Sequence, residues 1–179
     1  MTVIDKFQTM LERSPISTSE ALTLFDELPA VDLDFMLGRW KGSGFNTNHP
    51  MDGWLEIAGW YGKEFIDCDR VHPLLFSTKD QKIIKIAPVL FGLKLALQFP
   101  QLKSQTLKPI LDLSISILKT DDSQARMRML EHRGKLSATM IYDRLPINDI
   151  FRKVDDNTLL GLMDFKRMHQ PFFFVLRRD

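Results

Sequence analysis

The sequence predicts a mainly β protein of the α+β type, in which an antiparallel β-barrel follows N-terminal helices. Two patterns support this fold class. From Ala125 onward, apolar and polar residues alternate in successive short segments, which is typical of half-buried strands joined by turns. Closing such strands into a barrel would remove the exposed sheet edges. Residues 1–30 instead repeat apolar side chains at helical spacing.

Two helices are expected in residues 1–30. Thr2 can cap the first helix, and Ser17 with Glu20 forms a capping-box pattern at the start of the second. Pro15 and Pro29 follow their ends. Each helix has one apolar face, so we expect both to pack on the rest of the protein.

Residues 35–119 are expected to contain the first strands of the barrel together with a short helix. Residues 35–45 read as a strand punctuated by glycines, and residues 50–61 as a short helix. Residues 64–71 read as a strand that includes Cys68, expected as a small buried apolar residue, and His72-Pro73 as a turn. In residues 79–119 the apolar residues follow neither a helical nor a strand spacing throughout, although residues 111–117 alternate as in a strand.

The last third gives the clearest pattern. Residues 125–142 predict a hairpin with Gly134 in its turn. Further strands are expected at 149–154, 158–165 and 172–178, with a turn at 155–157. We therefore predict a helical segment at 1–30 and a single barrel domain at 31–179.

Composition excludes several classes. The 179 residues are 44% hydrophobic and 26% charged, with a formal net charge of +1, so nucleic acid is not an expected partner. A single cysteine allows no intrachain disulfide and no cysteine-rich zinc site. The apolar stretch 86–99 is too short for stable membrane insertion, and no signal peptide is recognisable at Met1, which predicts a cytoplasmic protein. A homodimer stays open.

A set of motifs in fixed order resembles a known family. Gly38-Arg39-Trp40-Lys41-Gly42 matches Gly-x-Trp-x-Gly. Further matching segments lie at 52–54, 59–63, 72–76, 134–140, 142–152, 160–164 and 172–178. The chain resembles the GXWXG-domain family, over about 31–90, together with its companion C-terminal domain of unknown function, over about 120–179.

The Gly-x-Trp near the first strand also resembles the start of lipocalins, fatty-acid-binding proteins and nitrobindins. This resemblance implies a lipocalin-like (calycin) barrel in which Trp40 closes one end and the interior holds a small hydrophobic molecule. No cofactor is expected. Nitrobindins hold haem through a late histidine, which would make His169 the candidate here, although the family pattern does not call for a histidine at this position.

The first functional hypothesis is binding of a small hydrophobic ligand inside the barrel. The candidate ligand-binding residues are Trp40, Trp60, Tyr61, Lys63, Met127, Met140, Tyr142 and Asp164. Lys63 could bind a carboxylate, or it could be a solvated lysine on an aromatic turn. Asp164 would be a buried acid with Arg177 as its partner if its strand face points inward.

The alternative is a cofactor-free isomerase, hydratase or dehydratase. His72 would work with Asp143 or Asp149 as an acid–base pair at the barrel mouth. The competing interpretation is that these carboxylates bind backbone amides and pair with Arg144 or Arg152. A third option is a filled barrel that serves partners through its surface. The histidines show no metal-ligand spacing, so no metal is predicted, and the sequence leaves enzymatic activity undecided.

Overall fold

A computed structural model describes residues 1–78, 80–88 and 118–179. Its helices are α1 (Val3–Arg13), α2 (Thr18–Glu27), α3 (Leu33–Met36) and α4 (Trp54–Ile57). Its strands are β1 (Gly38–Gly44), β2 (Trp60–Phe65), β3 (Val71–Ser77), β4 (Ile83–Lys85), β5 (Ala125–His132), β6 (Lys135–Tyr142), β7 (Ile147–Asp155), β8 (Thr158–Phe165) and β9 (Phe172–Arg178).

The strands close into an antiparallel barrel, as predicted. Hydrogen bonds link them in the order β2-β1-β9-β8-β7-β6-β5-β3, and β2 also pairs with β3. This last pairing closes the sheet on itself, while β4 extends β3 outside the closure. Closure pairs both edges of each barrel strand and leaves an enclosed interior face.

The predicted C-terminal strands are confirmed. The β5–β6 hairpin turns at Arg133 and Gly134, which both have positive φ (52° and 75°), as the tight turns favoured between antiparallel strands require. Asp155 accepts the backbone N–H of Asn157 in the β7–β8 turn, the local bond expected of an Asx-turn. The predicted strand at 111–117 lies outside the described residues.

The predictions for residues 50–73 need correction. The helix is only Trp54–Ile57, because Gly59 adopts a positive φ of 78° and Trp60 already begins β2. His72 and Pro73 lie within β3 rather than in a turn. The β2–β3 register shifts between Gly62 and Glu64, and prolines are tolerated at such irregularities. Cys68 is exposed between β2 and β3, not buried on a strand.

The described residues form two apolar clusters on opposite sides of one sheet. One fills the barrel interior and includes Trp40, Trp60 and Phe174. The other lies between the outer face of β7–β9 and helices α1 and α2, where Phe7 and Phe25 pack against Phe173 and neighbouring residues. The predicted Thr2 cap and the predicted Ser17–Glu20 capping box are both present, and Thr2 forms a capping box with Asp5 as well. The two helices form a layer over one side of the barrel.

Candidate functional site in the barrel interior

An ion pair lies inside the barrel. Lys63 on β2 and Asp149 on β7 are 2% and 1% exposed, and Lys63 Nζ lies 2.8 Å from Asp149 Oδ2. The alternation of each strand places them inward, since Phe65 and Phe151, two residues further on, belong to the interior cluster. Isolated charges are rarely buried, and a pair of this kind within a cleft marks a candidate functional site.

Aromatic rings and two oxygen atoms surround the Lys63 ammonium. Lys63 Nζ donates to the backbone oxygen of Pro73 at 3.1 Å and to Tyr142 Oη at 3.5 Å. It also lies 5.0 Å from the ring centroid of Phe174 and 5.7 Å from those of Trp60 and Tyr142. Such distances allow cation–π attraction. Together with Asp149, these contacts give each ammonium hydrogen an acceptor.

One oxygen of Asp149 has no hydrogen-bond partner among the described residues. Among residues 1–78, 80–88 and 118–179, none donates to its Oδ1 atom. Burial raises the pKa of Asp149, and the nearby Lys63 opposes this shift. Burial also raises the pKa of Tyr142 well above its usual value, and the charge of Asp149 adds to the effect. The site therefore contains a buried acceptor with unused hydrogen-bonding capacity.

Apolar side chains form the rest of the described interior. Met127 and Met140 are fully buried on neighbouring strands β5 and β6, where they lie directly opposite each other. The rings of Phe151 and Phe174 pack edge to face in the same interior, with their centroids 6.2 Å apart. Methionine adapts its shape to irregular apolar surfaces. A mostly apolar lining with a few placed polar groups is the usual composition of a small-molecule site.

Trp40 lies in the apolar cluster of the barrel interior. Its ring is fully buried, its indole N–H donates to the Met36 backbone oxygen at 2.8 Å, and the Arg178 guanidinium lies 4.2 Å from its ring centroid. Trp40 thus packs beside the short helix α3, whereas α1 and α2, the two helices expected in residues 1–30, pack on the outer face of the barrel.

The second glycine of the Gly-x-Trp-x-Gly motif has a packing role in the same region. A Cβ atom at Gly42 would lie 2.2 Å from the Trp60 ring. The absent side chain lets the Trp60 indole lie against β1, where its N–H donates to Gly62 on its own strand. The motif therefore seats both Trp40 and Trp60.

The predicted acid–base pair is not assembled. His72 lies opposite Glu64 across the β2–β3 ladder, and Glu64 pairs with Lys85 at 3.0 Å. Burial lowers the pKa of His72, and the Lys85 charge lowers it further. Asp149 pairs with Lys63 instead, and Asp143 is exposed at the end of β6.

The arginines offered as partners of these carboxylates also lie elsewhere. Arg152 is buried on the opposite face of β7 from Asp149, against the ring of Phe25 of α2. Arg144 is exposed in the turn after β6. The interpretation that Asp149 pairs with an arginine is therefore wrong, and its partner is Lys63.

Several other candidates lie outside the barrel interior. Tyr61 is half-buried, and its ring contacts the side chains of Arg39 and Lys41 on the outer face. Asp164 is exposed rather than inward, because Met163 and Phe165 on either side of it take the interior positions. Its suggested partner Arg177 donates to Ser43. His169 is exposed in the β8–β9 turn, away from the interior where a haem would be enclosed.

The sequence analysis missed the pairing of Lys63 with Asp149 and the contribution of Phe174. Alternation along 147–151 already placed Asp149 on the face of two apolar residues, which was a usable signal. For Lys63, the glycine-rich aromatic surroundings suggested a turn, and only the closure of β2 against β3 turns its side chain inward. Among the described residues, no group of three or more His, Cys, Asp or Glu side chains could hold a metal ion.

Comparison with known proteins agrees with this architecture. A family model described as GXWXG protein matches residues 23–81, and one described as a domain of unknown function (DUF4334) matches residues 123–178. A crystal structure of a protein from Thermomonospora curvata is similar over 100% of this chain and 99% of its own, with 30% identity and a TM-score of 0.75. No curated protein matches the chain significantly.

The fold and the family matches together identify the kind of protein. The closed antiparallel barrel is consistent with a calycin-like protein. The chain belongs to the GXWXG family, with the DUF4334 domain as its C-terminal part. None of the helices among the described residues is long and apolar enough to cross a membrane.

Proposed function

We propose that this protein binds a small hydrophobic molecule inside its barrel. The observation that carries the proposal is the polar cluster of Lys63, Asp149 and Tyr142 in an otherwise apolar interior. A barrel that served only as a scaffold would be more stable with apolar side chains at these positions, since a buried ion pair seldom contributes net stability. Ligand sites, in contrast, use a few fixed polar groups to orient an apolar molecule.

The alternative hypothesis, a cofactor-free isomerase, hydratase or dehydratase, has less support. It required His72 beside Asp143 or Asp149, and these groups contact different parts of the protein. A general acid or base must lie within about 3 Å of the proton it moves, or one water away. The binding hypothesis needs no such pair, because the buried groups only have to position a ligand.

Native mass spectrometry of freshly purified protein tests the proposal. We expect a bound species of a few hundred daltons that leaves when the protein is denatured. Methionine methyl NMR provides the second readout, because Met127 and Met140 line the interior. Their resonances should move when the bound species is stripped and restored. If no species co-purifies and no added apolar molecule moves these resonances, the barrel is a filled scaffold and the proposal is wrong.

A further inference from the structure

We infer that the ligand is a neutral apolar molecule bearing a hydroxyl group, whose O–H donates to Asp149 Oδ1 and whose oxygen accepts from the Tyr142 hydroxyl. This inference rests on the proposed function and names the chemical class of the ligand. It follows from which hydrogen-bonding positions the buried cluster uses internally and which it leaves open.

The ammonium of Lys63 is not the open position. It has three hydrogens, and Asp149, the Pro73 carbonyl and Tyr142 lie at 2.8, 3.1 and 3.5 Å from Nζ. A ligand that only accepts hydrogen bonds, such as an ether or ester, would have to displace one of these partners. The cluster therefore offers such a ligand little from Lys63.

The open acceptor is Asp149 Oδ1. Asp149 is 1% exposed, and no described residue donates to this oxygen. A buried acceptor without a donor costs free energy. A ligand that brings an O–H into the barrel would remove that cost, whereas a ligand without a donor would leave it.

The open donor is the Tyr142 hydroxyl. Its oxygen accepts from Lys63, and within the described part of the chain its own hydrogen has no acceptor. Both the phenol hydrogen and the Asp149 oxygen are held near one Lys63 ammonium. A single hydroxyl group can accept from Tyr142 and donate to Asp149, which an ether, a hydrocarbon or an ammonium cannot do.

The charges of Lys63 and Asp149 also restrict the chemical class of the ligand. A ligand carboxylate near Oδ1 would face the charge of Asp149, and a ligand ammonium would face that of Lys63, which is already surrounded by three rings. Like charges in a buried site repel strongly. The matched pair of protein charges thus disfavours either sign and favours a neutral alcohol or phenol.

The test compares four probes of similar size: 1-octanol, 1-methoxyheptane, octanoate and octylammonium. Binding is followed at pH 7 through the methyl resonances of Met127 and Met140. We expect 1-octanol to bind at least about tenfold more tightly than each of the others, the ratio typical of one buried group left unpaired.

Variants assign the preference to the cluster. The double variant Lys63→Met/Asp149→Leu should bind 1-octanol and 1-methoxyheptane equally. Tyr142→Phe, which keeps the ion pair, should weaken 1-octanol and 1-methoxyheptane alike by about fivefold, because both oxygens can accept from the Tyr142 hydroxyl, and should leave the preference for the alcohol in place. Asp143→Asn is the matched control, because this exposed carboxylate should leave the preference unchanged.

Each outcome separates the two proposals. A preference for 1-octanol that the double variant loses supports the inference. Binding of several probes without preference, or a preference that survives in the double variant, overturns the hydroxyl inference and leaves the proposed function in place. If no probe moves the interior methionines, the hydroxyl inference is overturned; if in addition no species co-purifies with the protein, the proposed function is overturned as well.

Discussion

Within the described part of the chain, the barrel interior buries Lys63 and the layer beneath α1 and α2 buries Arg152, and the two cations have different partners. In the interior, Lys63 pairs with the buried Asp149, and the second oxygen of that carboxylate has no donor among the described residues. Beneath the helices, Arg152 is fully buried with no carboxylate in direct contact among those residues. It lies 4.8 Å from the Phe25 ring centroid and donates to the backbone oxygens of His132 and Phe151.

The difference indicates that the two layers have different roles. Arg152 donates two hydrogen bonds to backbone carbonyls of β5 and β7, while its Nε has no acceptor among the described residues. Its pKa is lowered by burial, and the charge of Asp26 opposes that shift. The interior cation is instead paired with a carboxylate whose second oxygen has no donor among the described residues. The helix layer therefore holds its cation with backbone carbonyls and an aromatic ring, whereas the interior holds its cation with a buried counter-charge.

The largest expected loss of stability comes from removing the Trp40 ring. Trp40→Ala should lower the free energy of unfolding by about 3–5 kcal/mol, as truncation of a fully buried aromatic does. It would also remove the surface on which Arg178 stacks. Urea denaturation measures the change, with Phe35→Ala at the half-buried neighbouring ring as a milder control. An unchanged midpoint in Trp40→Ala would show that this residue does not close the barrel.

The next largest effect distinguishes a single from a double substitution. Asp149→Ala should cost about 3–5 kcal/mol of unfolding free energy, because it leaves the Lys63 charge buried without a counter-charge. The double variant Lys63→Met/Asp149→Leu should lie within about 1 kcal/mol of the wild type, or above it. Chemical denaturation at pH 7 tests both. A double variant as unstable as the single one would mean that the pair is needed for folding rather than for a ligand.

Substitution of Arg152 in the layer beneath α1 and α2 should lower the free energy of unfolding by less than Asp149→Ala does. Arg152→Met removes two hydrogen bonds and the contact with Phe25, but it leaves no unpaired charge behind. We expect a loss of about 1–2 kcal/mol in unfolding free energy. The Met127 and Met140 methyl resonances should be unaffected, because they report on the opposite side of the sheet. A loss as large as that of Asp149→Ala would contradict the contrast between the two layers.

The two halves of the chain also differ in how well the sequence predicts them. Strands β5–β9 follow each other through short turns and alternate regularly, so pattern and turn residues specify them locally. The segment from α4 to β3 depends on contacts between distant parts of the chain. Trp60 lies within the helix predicted for residues 50–61, yet it begins β2, and its ring occupies the space that a side chain at Gly42 would need.

The site was predictable residue by residue but not as an arrangement. Alternation identified Met127, Met140 and Tyr142 as inward-facing, and the structure places them in the interior. It could not pair Lys63 with Asp149, because the two lie far apart in the sequence and meet only after the barrel closes. Alternation also misassigned Asp164, since the face shared by Leu160 and Leu162 is apolar for a different reason: it packs against the helix layer.

The smallest expected effect is the pH dependence of the interior pair, and its sign is informative. Burial raises the pKa of Asp149 in the folded state above the unfolded value of about 3.9. A group of this kind favours folding at low pH, and its contribution is lost as the pH rises from about 4 through the folded pKa.

Carboxylates such as Asp26, whose pKa Arg133 lowers, act in the opposite direction. They are common to the wild type and to Lys63→Met/Asp149→Leu, so their effects cancel in a comparison of the two. The stability of the wild type relative to this double variant should therefore decline as the pH rises from 4 towards neutral, as measured by urea denaturation at each pH. A relative stability that grows with pH would show that attraction to Lys63 outweighs the cost of burial, and Asp149 would then be an internal partner of Lys63 rather than an acceptor held for a ligand.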